Sequence, residues 1–365
     1  MEQQYPFTTT QAQRDERRAQ RAAARKKRER ERRRRLLARL IPVMAVAAVA
    51  LTAALRTFSG GGEAQASAPQ APEEPPVQTQ SLPPEPEVEV EAEPYSLSPT
   101  AATAQIGEEL ASEFAIVIDL DGGAILAQKN AEVLISPASM TKILTILVAA
   151  EHVENLSDTV VIDFDITDYC YRNDCSVAGF FRDEAVTVED LFYGTILPSG
   201  AEAALGLAKY VAGSQEAFVE LMNEKAEELG LADTAHFTNC VGLYDKAHVC
   251  TAYDMAMILK AAMENDLCRE VLSTKVHEIP ASETHPEGMV LSNWFLRKIE
   301  DHVPEAFQVV GAKTGFVAQS GNCAASWAQD AGGNSYLCVT GNAFSSWRCI
   351  KDHIQLYTEY IPRGN

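Results

Sequence analysis

The 365 residues are 46% hydrophobic and 22% charged with a net charge of −20, enough apolar content for one large core plus appendages and too much for a chain disordered throughout. The charge is unevenly placed: the first 39 residues hold 14 Lys or Arg against 5 Asp or Glu, so the remainder carries −29. That split excludes a single uniform environment. A nucleic-acid role would rest on the basic end alone, and membrane topology already explains that charge, so no nucleic-acid partner is expected.

The basic run through Arg25–Arg28 and Arg32–Arg35 ends at an apolar stretch, Leu36 to Leu55, whose single charge is Arg39. About twenty residues at 1.5 Å each span ~30 Å of hydrocarbon. Residues 1–35 are therefore expected in the cytoplasm, 36–55 as a single-pass signal anchor in the cell membrane, and the rest outside the cell. The rival reading is a cleaved signal peptide, for which the basic segment is long and no compelling A-x-A site follows at once. Residues 56–106 are rich in Pro, Glu, Gly, Ala and Gln, as in Ala71-Pro-Glu-Glu-Pro-Pro76, and read as a disordered linker. Residues 107–365 are left as the folded domain.

Within that domain, 113–120 and 123–129 read as strands joined by the turn Asp121-Gly122-Gly123. Ser136-Pro-Ala-Ser-Met-Thr-Lys142 then opens a helix. A second helix begins at Thr187, with Asp190 three residues later in capping-box style, and ends at Leu197-Pro198. Further helices are expected over 215–229 and from a Thr251/Asp254 cap. Strands follow at 307–317, 322–329 and 335–340, then a terminal helix over 349–360. Strands, helices, strands and a helix imply an α+β fold in which the first and last segments share one antiparallel sheet flanked by helices, with a helical lobe beside it.

Three short motifs carry chemistry. Ser139 and Lys142 stand three apart at a helix start, where they share a face. A serine hydroxyl needs a neighbouring base, and a lysine disfavoured as a cation can be one. A Pro-Ser-Gly break places Ser199 between two helical patterns, and a strand-like run carries Lys313-Thr314-Gly315. Ser-x-x-Lys, a serine loop and Lys-Thr-Gly, in that order, form the motif set of penicillin-binding proteins and serine β-lactamases.

The longer runs Pro137-Ala-Ser-Met-Thr-Lys-Ile, Leu197-Pro-Ser-Gly, Phe237-Thr-Asn-Cys-Val-Gly-Leu243 and Ala252-Tyr-Asp254 resemble the low-molecular-weight D-alanyl-D-alanine carboxypeptidases over roughly 107–363. The resemblance implies a penicillin-binding-protein fold and a cleft between the helical lobe and the sheet. It implies Ser139 as nucleophile and Lys142 as base, kept partly neutral by Lys313, with Ser199 relaying a proton to the leaving amine. Lys313 and Thr314 would hold the substrate carboxylate, Gly315 would admit the peptide, and the N–H groups of Ser139 and Phe316 would form the oxyanion hole. Arg348 is a further candidate for the carboxylate, beside a plain surface role. The implied partners are a peptidoglycan stem peptide ending in D-Ala-D-Ala, β-lactams as covalent inhibitors, and the membrane through the N-terminal helix.

One position departs from the family: Ala201 stands where the middle motif usually has asparagine. That keeps open a weakened or inactive wall-binding homologue, and a DD-endopeptidase would use the same residues. A class A β-lactamase is disfavoured because no Glu-x-x-Leu-Asn run lies between 203 and 312. No cofactor or metal is expected: the seven histidines are scattered, with no His-Glu-x-x-His or Cys-x-x-Cys. All eight cysteines follow the apolar stretch, and an even number on the exported side permits disulfides. Local spacing nominates Cys170–Cys175 and Cys240–Cys250, and adjacent strands would let Cys323 and Cys338 meet.

Overall fold

Phe114–Asp119 (β2) and Ala124–Lys129 (β3) pair antiparallel across the expected turn, where Gly123 takes a positive φ of 59°. They lie in a computed structural model that describes residues 96–304 and 306–362. The basic tail, the expected anchor and most of the expected linker lie outside the described residues. Residues 96–106, assigned above to the linker, belong to the fold. Ala104–Gln105 (β1) pairs parallel with β3, the Thr103 hydroxyl donates to the Ile125 carbonyl at 2.8 Å, and the Leu97 N–H donates to the Tyr253 hydroxyl at 2.8 Å. The fold therefore already includes residues 97–106, ahead of the expected start at 107.

The C-terminal strands Phe307–Val317 (β8), Gly321–Asp330 (β9) and Ser335–Ala343 (β10) complete a six-stranded sheet of order β1-β3-β2-β10-β9-β8. First and last segments thus share one sheet, antiparallel except at β1. The sheet is covered on both faces, so its strands are apolar at nearly every position. Ile116, Ile118, Leu337 and Val339 face the helical lobe, while Ala115, Val117, Tyr336 and Cys338 face the terminal helix, Ser346–Tyr360. Cys323 lies with the first set and Cys338 with the second. The two thiols are on opposite faces and do not meet, because a strand's side chains alternate sides. All eight cysteines are free thiols.

The lobe is built around Lys142–His152 (α1), buried from Lys142 to Ala149. Around it lie Phe164–Arg172 (α2), Val188–Ile196 (α3), Ala201–Ala212 (α4), Gln215–Glu228 (α5), Ala252–Glu264 (α6) and Asp266–Ser273 (α7). The expected caps are in place: Thr187 accepts from the Asp190 N–H, and Thr251 with Asp254 makes a full capping box. Trp294–Ile299 (α8) and the terminal helix (α9) close the other side of the sheet. Two small two-stranded sheets escaped the sequence reading, Thr159–Val161 (β4) with Ala185–Thr187 (β5), and Val276–Ile279 (β6) with Met289–Ser292 (β7).

A polar pin ties α9 to the sheet. Fully buried His353 is within 2.7 Å of the Ser326 hydroxyl and 2.9 Å of the Thr340 hydroxyl, and the Tyr357 hydroxyl donates to the Ser326 carbonyl at 2.9 Å. Burial holds His353 down to about 3 and His248 to about 4. An unfolded histidine titrates near 6.5, so between those values the unfolded chain binds more protons and stability rises with pH. This contribution is complete above pH 6.5 and is lost as the pH falls. Lowering the pH from 7 to 5 should cost about 2 kcal/mol per histidine. Urea midpoints should fall accordingly, and His353→Gln should lose about half of that pH dependence.

Candidate active site

Pro137 and the left-handed Ala138 (φ 49°) turn the chain into a short 3₁₀ turn, Ala138–Thr141, that leads into α1. In a 3₁₀ turn residues i and i+3 eclipse. The Lys142 Nζ accordingly donates to the Ser139 Oγ at 3.1 Å, and also to the Val241 carbonyl at 2.7 Å. Ser139 is half-buried at the cleft surface and Lys142 is buried beneath it.

The Val241 carbonyl is set by Asn239. Its Oδ1 accepts from the N–H groups of Val241, Gly242 and Leu243 at 3.3, 2.8 and 2.9 Å, and its Nδ2 donates to the Leu243 carbonyl at 2.9 Å. Gly242 then passes so close to the nucleophile turn that a Cβ would lie 1.9 Å from the Ala138 oxygen, and its φ of 81° is itself a glycine conformation. His248 joins loop to turn. Its Nδ1 accepts the Thr238 N–H at 3.1 Å, so its Nε2 carries the proton and donates to the Thr141 Oγ1 at 2.8 Å, while that hydroxyl donates to the Ala138 carbonyl at 2.7 Å.

Ser199 follows Leu197-Pro198 at the end of α3 with a φ of 65°. The tight corner needs Gly200, whose Cβ would lie 2.8 Å from the Gly194 oxygen and 2.9 Å from Ala178. Across the cleft, the Lys313 Nζ donates to the Ser199 Oγ and to the Thr314 carbonyl, both at 2.8 Å. Lys313 faces the cleft because β8 carries an irregularity between Val309 and Gly311. Phe307 and Val309 face the terminal helix, and so does Ala312, an odd number of residues further on. The extra residue reverses the alternation, as a bulge does, and turns Gly311, Lys313 and Gly315 to the other side. A Cβ on Gly315 would lie 2.9 Å from the Ser139 nitrogen and 2.8 Å from the Cys323 sulfur. Thr314 is half-buried and Phe316 exposed.

Burial pushes Lys142 down to about 8. Lys313 lies well below the ordinary lysine range, first because it is buried and then because of the Lys142 charge. Desolvation is thus the leading cause for both lysines, and the repulsion between the two ammoniums adds to it. Arg348, the further carboxylate candidate, forms an ion pair with the Asp352 carboxylate one turn along its own helix, with Nε 2.8 Å from Oδ1 but not aligned for a hydrogen bond. Asp352 also accepts from the Ser112 N–H and hydroxyl at 2.9 and 2.6 Å. That environment favours the structural role. Among the described residues no cluster of metal-ligating side chains occurs.

A family model described as D-alanyl-D-alanine carboxypeptidase matches residues 99–344. The chain belongs to this family. It is 29% identical over 233 residues to the Bacillus subtilis D-alanyl-D-alanine carboxypeptidase DacF, covering 62% of this chain and 58% of that protein. It is 32% identical over 235 residues to a D-alanyl-D-alanine carboxypeptidase of Streptomyces sp. strain K15, covering 62% of this chain and 80% of the relative. The crystal structure of the Streptomyces K15 DD-transpeptidase superposes with a TM-score of 0.63 at 27% identity, over 68% of this chain and 96% of that one. A D-alanyl-D-alanine carboxypeptidase from Mycobacterium tuberculosis gives 0.62 at 26%, over 72% and 94%. Against the Bacillus relative and the Escherichia coli DacC, the match spans 58% and 45% of their lengths.

The contacts described bring Ser139, Lys142, Ser199, Lys313 and Gly315 together at one cleft, Thr314 and Phe316 continue the same strand, and Arg348 is engaged on its own helix. The members missed by sequence reading are Asn239, the Val241 carbonyl and His248. The Asn-x-x-Gly-Leu run was visible as a family feature, and an asparagine three residues before a glycine is the available local signal. Asn239→Ala should strand three N–H groups, destabilise the domain by about 1–3 kcal/mol and slow acylation of Ser139 by about tenfold or more as the Val241 carbonyl shifts. A thermal melt and a fluorescent-penicillin time course measure both. Unchanged acylation in a destabilised variant would assign Asn239 to the scaffold alone.

Proposed function

We propose that this chain is a serine-type D-Ala-D-Ala carboxypeptidase that removes the terminal D-alanine of peptidoglycan stem peptides. The observation that carries the reading is the contact between the Ser139 hydroxyl and a buried lysine whose burial lowers its affinity for a proton. Neutral Lys142 accepts the Ser139 proton as Oγ attacks the carbonyl between the two D-alanines. The N–H groups of Ser139 and Phe316 stabilise the oxyanion, a contribution worth ~2.7–4 kcal/mol per donor. The incoming carboxylate favours protonation of Lys313 and takes a hydrogen bond from Thr314. A charged Lys313 in turn disfavours a proton on Lys142. The proton taken up by Lys142 is relayed through Ser199, which is bonded to Lys313 and is reprotonated as it gives its own proton to the departing D-alanine amine, and water then releases the acyl-enzyme. A β-lactam would acylate Ser139 by the same first step.

Ala201 does not empty the site of support. The Lys142 ammonium has two oxygen partners without the family's asparagine, and the Val241 carbonyl is one of them. This favours an active enzyme over a wall-binding homologue. A second reading, transfer of the acyl group to an amine instead of water, draws on the likeness to a DD-transpeptidase and differs only in the final acceptor. The basic run followed by the apolar stretch supports placement outside the cell membrane on an N-terminal anchor.

The test is release of free D-alanine from a pentapeptide ending in D-Ala-D-Ala, with and without an amine acceptor. Ser139→Ala should reduce release by about a thousandfold or more. Release that survives the substitution would defeat the assignment. Because Lys142 must be neutral to act, the acylation rate should climb as the pH rises through about 8 and level off above it.

A further inference from the structure

Helix α2 ends in a Schellman-type turn, and both positions that meet across it are cysteines. Cys170 is the third residue from the helix end, and Cys175 is the second residue beyond the Asn173 cap. The Cys175 N–H donates to the Cys170 carbonyl at 3.0 Å, the six-to-one bond of that motif, with Asp174 between them at a φ of 55°. This closure brings the two side chains together, where such turns usually place an apolar contact. The thiols interact directly: each is the largest influence on the other, raising Cys170 and lowering Cys175. Cys170 is 5% exposed whereas Cys175 is half-buried and reachable.

The segment beyond Cys175 forms the wall behind the Ser199 corner. The Ser176 carbonyl accepts the Ala201 N–H at 2.9 Å, Ala178 presses on Gly200, and the Gly179 N–H donates to the buried Glu202 carboxylate at 2.8 Å. Whatever fixes Cys175 to α2 fixes this wall.

We propose that Cys170 and Cys175 are a redox-active dithiol that closes reversibly to a disulfide and braces the Ser199 wall of the cleft. The oxidant is a low-molecular-weight disulfide. The Cys175 thiolate attacks one of its sulfurs and expels a thiolate, which takes up the proton Cys175 gave. Cys170 then attacks the Cys175 sulfur of the mixed disulfide, and the second small thiol leaves with the Cys170 proton. Two cysteine thiols lose two electrons and two protons, and one small disulfide becomes two thiols. The dithiol backbone is already closed, so the link needs no rearrangement of the turn, and the same loop serves both states. This inference rests on the turn geometry and is read by thiol mapping, so it stands or falls separately from D-alanine release.

The experiment equilibrates the full chain in a series of reduced and oxidised glutathione buffers and blocks free thiols with maleimide. Non-reducing peptide mapping then follows the segment carrying both cysteines. That peptide should lose two hydrogens in oxidising buffer and regain them on reduction. The oxidised protein should melt roughly 4–8 °C higher than the reduced one, as expected for a short closed loop in a domain of this size. Cys175→Ser, which leaves the buried sulfur in place, should melt like the reduced protein in every buffer. Maleimide capture of both cysteines across the whole series, in folded protein, would overturn the proposal and leave an ordinary apolar turn contact. So would a link from either cysteine to another one. A 170–175 link with no change in melting temperature would overturn the bracing role.

Discussion

Two lysines buried in one cleft govern the rest of this structure. Lys142 and Lys313 are each 2% exposed, and both are pushed away from their charged forms. Taking an ammonium out of water costs several kcal/mol even after relaxation, and a second one nearby adds repulsion. The protein tolerates the pair by giving each amine oxygen acceptors and by letting one or both go neutral. That neutral state is what a serine nucleophile needs beside it. The two amines also come from different parts of the fold, Lys142 from the core of the helical lobe and Lys313 from the sheet. The chemistry therefore exists only where lobe and sheet close on each other, and Ser139 sits at that seam. Gly242 and Gly315 press on it from two sides, with backbone of the nucleophile turn where their Cβ atoms would be.

The replacement of an expected asparagine by Ala201 shows how far that arrangement can shift without collapsing. An amide at this point would give Lys142 a further acceptor. Here the acceptor is a main-chain carbonyl whose place depends on Asn239, and Asn239 is held by four hydrogen bonds to its own loop. A carbonyl accepts a hydrogen bond in either protonation state of the amine but cannot donate one to the serine. It therefore positions Lys142 without competing for the Ser139 oxygen. The neighbouring Glu202 is buried and raised by that burial, yet the N–H groups of Ala178, Gly179 and Phe180 draw it partly back toward the charged form. It anchors the wall behind Ser199, a structural task that leaves the proton chemistry to the lysines.

What could be read from the sequence was local. The Ser139–Lys142 pair depends on a three-residue spacing, and the caps at Thr187 and Thr251 depend on the same interval. The β2–β3 hairpin is announced by its glycines. What escaped depends on partners far along the chain. His248 acts through Thr141, more than a hundred residues earlier, and nothing in its own neighbourhood marks it. The β4–β5 and β6–β7 pairs use strands of three and four residues, too short for alternation to register. Residues 96–106 looked like linker because their order comes from β3 and Tyr253. Cys323 and Cys338 looked like partners because adjacent strands suggest contact, whereas only parity along the strand decides the face.

Parity matters most in β8. A regular strand would put Lys313 on the same side as Phe307 and Val309, against the terminal helix, where an amine would have no chemistry to do. One extra residue before Gly311 reverses the alternation and delivers Lys313 and Gly315 to the cleft. The same strand is the long edge of the sheet, eleven residues against two in β1 at the opposite edge. Long edges are usually hidden because their free N–H and C=O groups invite another strand. Here the nucleophile turn and helices α7 and α8 cover part of it. An edge kept beside a nucleophile suits a substrate that arrives as an extended peptide and pairs along the strand, the recognition mode in which main-chain bonds hold the ligand and side chains choose it. The bulge and the edge thus act together, one aiming the lysine into the cleft and the other leaving the strand's backbone open beside the nucleophile.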